Sequence, residues 1–121
     1  MDTHHLQKPL VLAAGLIGAM GVALAALASH AGGEAFLRPA SMITLTHAPA
    51  LLALGLAGSG LRLRAWTGAG LTLGILLFSG DLISRHFLGA SLFPMAAPTG
   101  GMILILSWLA LGLSALITRP R

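Results

Sequence analysis

Four apolar runs, each close to the ~20 residues that a helix needs to cross a bilayer's hydrocarbon core, leave this chain little choice of fold. They read PLVLAAGLIGAMGVALAALAS (9–29), ASMITLTHAPALLALGLAG (40–58), WTGAGLTLGILLFSGDLIS (66–84) and TGGMILILSWLALGLSALI (99–117). Short connections join them: HAGGEAFLRP, SGLRLRA and RHFLGASLFPMAAP. At about 1.5 Å per residue each run spans roughly 30 Å as a helix. Composition points the same way. Charged residues are 8% of the chain, against about 25% in an ordinary soluble domain. A soluble fold of 121 residues has too little interior for a 56% hydrophobic sequence with mean hydropathy +0.92. The expectation is an all-α, polytopic membrane four-helix bundle, a single transmembrane domain over 1–121. Membrane lipids are its first partner.

The first run is longer than the 7–15-residue core of a signal peptide, so it is read as a helix that stays, although Lys8 and Ala26-Leu27-Ala28 imitate signal flanks. The pI near 11.7 does not indicate nucleic acid, because the basic residues are scattered between apolar runs and make no stripe along a phosphate backbone. They speak to topology instead. With both termini cytoplasmic, the inner side holds Lys8, Arg62, Arg64, Arg119 and Arg121, and the outer side Arg38 and Arg85; five against two favours that orientation. The absence of Cys excludes disulfides, thiolate metal sites and thiol catalysis.

Many of the sixteen glycines lie inside the spans. Lipid supplies no hydrophobic drive between helices, so small residues that let backbones approach hold such bundles together. Gly70 and Gly74 form a GxxxG pair, and Gly18 pairs with Ala14. Gly15, Gly18, Gly70, Gly74, Ser79, Gly80, Gly100 and Gly101 are therefore expected to pack helices, within the chain more than between copies. Trp66 fits an interfacial anchor, whereas Trp108 falls mid-span and is expected inside the bundle. The third connection is apolar with a polar side, and a short interfacial helix before Pro94 and Pro98 is expected there.

Ionisable residues in a span are functional candidates by default. Here they are His30, His47, Asp81, Arg85 and His86, which this topology gathers in the outer half; His4-His5 reads as a solvated tail. Three readings stay open. His47 and Asp81 can make a proton- or solute-handling pair. The histidines can hold a metal or haem, although no HxxxH or HxxH spacing helps. In the plainest reading Asp81 pairs with Arg85 one turn on, and His30 and His86 sit among headgroups. Pro49 then kinks the second helix and frees the carbonyl of Leu45, which Thr44, Thr46 and His47 can satisfy. No GxSxG, P-loop or dinucleotide fingerprint is present, so neither catalytic residues nor a cofactor or metal are expected.

Taken in order, ASHAG after the first run, THAPALLALG in the second, GILLFSG in the third and APTGGMILILSWLAL through the fourth are similar to a known family. They resemble the small inner-membrane proteins of the YgdD type, domain-of-unknown-function family 423, which includes transmembrane protein 256 of animals. His30 and His47 fall on the family's histidine positions, Ser79 and Gly80 on its FSG, and Gly100-Gly101 on its paired glycines. Asp81 stands where the family usually has serine, Ile83 where it has an aromatic, and Pro49 where it has leucine. The resemblance implies an inner-membrane location but no particular reaction, and it makes Asp81 a poor engine for a family-wide activity. The functional expectation is a non-enzymatic structural, assembly or accessory component of a larger membrane complex. The alternative is a homo-oligomeric transporter or channel for a small solute or protons through the outer polar cluster. Haem, metal or lipid binding is the weaker alternative.

Overall fold

The computed structural model describes residues 4–30, 32–57 and 63–117. They form four helices: α1 (His4–His30), α2 (Leu37–Leu56), α3 (Arg64–Leu88) and α4 (Ala96–Ile117). Each is long and apolar enough to cross a membrane. At 27 residues, α1 runs about 40 Å, longer than the ~30 Å hydrocarbon core, so it tilts or projects. His4 and His5 belong to its first turn and are not a free tail.

The expected interfacial helix between the third and fourth spans is not there. Instead α3 continues to Leu88, because the apolar pattern persists through Phe87 and Leu88. It stops at Gly89, whose φ of +71° is the left-handed cap that glycine adopts without a Cβ clash. A compact turn follows, and Met95, at φ +67°, redirects the chain into α4. Pro98 lies in the first turn of α4, where a missing N–H costs no helical bond.

The chain packs as two helical hairpins. α1 lies mainly on α2 and α4 mainly on α3, while α2 and α3 join the two pairs. One core cluster runs through all four helices, with Leu10, Ile17, Leu51, Leu71, Ile75 and Leu104 at its centre. A second joins Leu24 and Ala28 of α1 to Leu37 and Ala40 of α2.

The α3–α4 seam is where glycine is indispensable. A Cβ on Gly100 would lie 2.5 Å from the Phe78 nitrogen and 2.9 Å from the Gly74 carbonyl oxygen. One on Gly74 would meet Leu104 at 2.8 Å, and one on Gly70 would strike the Ser107 hydroxyl. The Gly70–Gly74 pair is thus spent against α4, inside the chain. Gly18, Gly80 and Gly101 make only ordinary contacts, with Ala48 at 3.5 Å, Leu92 at 3.4 Å and Phe78 at 3.8 Å. Gly15 corrects the expectation: it faces open space, with nothing within 4 Å of a Cβ built there. Gly15 lies three positions before Gly18, a net turn of about 60° around the helix, which leaves its Cβ direction over the open groove beside α2 and not against a side chain.

Candidate functional site

The buried ionisable residues of the spans, His47, Asp81 and Arg64, each centre a separate hydrogen-bonded group. The first centres on His47, which α2 holds at 8% exposure. Its Nε2 lies 2.9 Å from Nε1 of Trp108 on α4. An indole N–H can only donate, so Nε2 accepts and the imidazole proton sits on Nδ1. Nδ1 then donates to the Ile43 carbonyl at 2.8 Å, with the Thr46 hydroxyl 3.1 Å away. The two rings also meet edge-on at 5.6 Å between centroids. Both ring nitrogens are therefore engaged. Trp108 is not enclosed as expected, since 42% of it is exposed, but its polar edge is turned inward.

α2 runs unbroken through Pro49. The expected side-chain bonds to the Leu45 carbonyl are not made by Thr44, Thr46 or His47. Thr44 donates to Ala40 and Ser41, Thr46 to Met42 and Ile43, and His47 to Ile43. These bonds go one turn back along the same helix, the ordinary i−3 and i−4 reach of hydroxyls in a span, and not to Leu45.

The second group closes the α3–α4 end. Asp81 is wholly buried. Its Oδ2 accepts from Arg85 Nε at 3.0 Å, and its Oδ1 accepts the backbone N–H of Leu92 at 2.8 Å. Ser84, on the same face one turn later, donates to the Ala90 carbonyl at 2.6 Å. Two side chains of α3 thus pin the loop that follows it. His86 stacks edge-on against Phe87 at 4.7 Å, and His30 is exposed at the end of α1.

The third group lies around Arg64, which is only 3% exposed. Its Nε donates to the Leu54 carbonyl and its Nη2 to the Gly55 carbonyl, both at 2.6 Å. These carbonyls belong to the last turn of α2, where intrahelical donors run out and the helix dipole is negative; the Leu54 carbonyl also accepts the Ala57 N–H, at a long 3.4 Å. A guanidinium fork fits two adjacent carbonyls in a way that a lysine cannot. Sequence reasoning counted Arg64 only as a topological charge. The available signal was its place: an arginine opening one span just after the end of another can turn back onto that end. Of the other four residues in the inner-side count, Lys8 is exposed on α1, and Arg62, Arg119 and Arg121 lie outside the described residues.

His47 and Asp81 are not bonded to each other. The candidate cluster is split: His47 bonds Trp108, Asp81 and Arg85 join in the loop clamp, and His86 and His30 stand apart, against Phe87 and exposed at the end of α1 respectively. Among the described residues no three His, Asp or Glu side chains converge as metal ligands do. Ser79 bridges helices more weakly, its hydroxyl 3.4 Å from the Ala40 carbonyl. The grooves on the bundle are apolar. One between α1 and α3 is lined by Leu6, Leu10, Ala13, Gly68 and Leu73, and another between α1 and α2 by Val11, Gly15, Gly18, Leu45 and Leu52.

Four apolar helices with polar groups turned to one another define a small multi-pass helical membrane protein. The family described as protein of unknown function (DUF423) matches residues 14–101, and the chain belongs to that family. No curated protein and no solved structure matches it.

Proposed function

We propose that this protein is a non-enzymatic component of the inner (cytoplasmic) membrane, with both termini in the cytoplasm. It acts as a structural, assembly or accessory subunit of a larger membrane complex. One observation carries this reading. The costly polar groups in its spans (His47, Asp81 and Arg64) each hold one piece of backbone or side chain against another. A group that moves a proton or solute must exchange partners during its cycle; these three are committed to helix ends, a loop and a neighbouring helix. The exposed apolar faces of α1 and α4 leave ample surface for other membrane helices.

Native mass spectrometry of the protein released from its own membrane tests this. Co-released partner subunits are the expected result. A bare homo-oligomer, together with proton or solute flux in vesicles that His47→Ala abolishes, would overturn it in favour of transport. Cysteine accessibility at the two termini checks the orientation.

A further inference from the structure

The turn between α3 and α4 is built inside out relative to a water-exposed loop. The large side chains in and beside it are apolar and face outward: Phe87 and Leu88 at the end of α3, and Leu92, Phe93 and Met95 in the turn, are 57%, 79%, 52%, 44% and 65% exposed. Several of its backbone polar groups are bonded within the protein. The Leu92 N–H goes to buried Asp81, the Ala90 carbonyl to Ser84, and the Ala96 N–H to the Phe93 carbonyl. A loop in water has no need of a buried carboxylate to satisfy an N–H that water could take. Below the headgroups water is scarce, and such groups must find partners within the protein. Outward apolar side chains on an inward-bonded backbone suit that setting. The charges agree: Arg85 spends Nε on Asp81 while 41% of its side chain stays exposed. His86 lies beside it, and from 82 to 98 the sequence holds no acid. The opposite composition marks the α1–α2 connection, where exposed Glu34 pairs with exposed Arg38 at 2.8 Å.

We propose that residues 85–95 form a pre-ordered membrane-surface anchor. Leu88, Leu92 and Phe93 are seated at the boundary of acyl chains and headgroups, and Arg85 lies against the phosphates of an anionic phospholipid. Asp81 and Ser84 are positioning residues: they set the loop's shape before it meets lipid, which lowers the ordering entropy of insertion. Basic and aromatic residues placed together at this depth are the usual composition of interfacial segments.

The chain has no cysteine, so single Leu92→Cys and Glu34→Cys variants take one spin label each without background. In vesicles of phosphatidylcholine with phosphatidylglycerol, the label at 92 is expected to show an oxygen-to-nickel-chelate accessibility ratio several-fold above that at 34. The ratio should fall when phosphatidylglycerol is omitted or when Arg85→Gln is added. Equal ratios at 92 and 34 place the loop in water and overturn the proposal. Low accessibility to both reagents at 92 means that a second copy covers the patch, and overturns it equally. Indifference to phosphatidylglycerol removes the headgroup contact. Asp81→Asn, and separately Ser84→Ala, should sharpen the label's spectrum as the loop loosens while helicity is retained. Unchanged spectra in both overturn the pre-ordering.

Discussion

Replacing Gly100 by alanine tests whether the α3–α4 seam is held by close backbone approach. The added methyl would lie 2.5 Å from the Phe78 nitrogen, 2.9 Å from the Gly74 oxygen and 2.9 Å from the Leu77 Cβ. Two of these atoms are helix backbone, which cannot swing aside as the end of a side chain can. The helices must therefore separate by about 0.5–1 Å, a gap that forfeits a quarter to a half of each contact's attraction. Tens of such contacts along the seam, at ~0.1–0.2 kcal/mol each, give a loss of about 1–3 kcal/mol, the usual range for overpacking. Alanine returns at most about 1 kcal/mol through its better helix propensity. The control is Gly15→Ala, where the methyl meets nothing within 4 Å and only the favourable term of up to about 1 kcal/mol remains. The assay is reversible denaturation of both variants in mixed micelles, followed by circular dichroism. The expected order of stability is Gly15→Ala at or above wild type, and Gly100→Ala below it. Equal stability of the two variants would falsify the seam as described.

Arg64→Leu should destabilise the bundle by about 2–4 kcal/mol in the same assay, because two carbonyls of α2 lose charge-assisted donors; Arg64→Lys should rescue little, and full rescue by lysine would show that charge alone matters there. A double-mutant cycle with His47→Ala and Trp108→Phe should give a coupling energy of about 0.6–1.7 kcal/mol, the range for interhelical hydrogen bonds in a bilayer; zero coupling would mean that the indole bond contributes nothing to holding α4 on α2. Asp81→Ala should accelerate hydrogen exchange at the Leu92 amide by at least an order of magnitude, since about 1.4 kcal/mol is tenfold and the bond accepts on a carboxylate. Exchange at Leu71, in the middle of α3, should be unaffected.

The architecture was legible because hydrocarbon imposes a one-dimensional test. Any helix that crosses must offer about twenty apolar residues in a row, and composition along the chain reveals this without knowledge of what touches what. Four helices, their approximate limits and the family resemblance all follow from that kind of local information. The polar residues could be located by the same means but not assigned partners. His47 and Trp108 are separated by 61 positions, and their bond depends on how α2 and α4 are rotated about their axes. Asp81 could be paired with Arg85 by helical spacing alone. Its second bond, to a backbone N–H eleven residues on, required the loop to fold back.

Gly15 and Gly100 make the same point with packing. Both are glycines in apolar spans, yet one faces open space and the other touches backbone. A span's outside and inside are equally apolar here, so no hydrophobic stripe announces which face meets a neighbour. Arg64 is the sharpest case: by sequence it is one more cation at a membrane end, and in the fold it caps the last turn of α2. Sequence alone therefore determined that the chain crosses a membrane four times, because solvation by lipid acts on each segment independently. Tertiary structure decided which glycines, and which of the few polar groups, hold those crossings together, because helix rotation and the return path of each loop are set by contacts between segments.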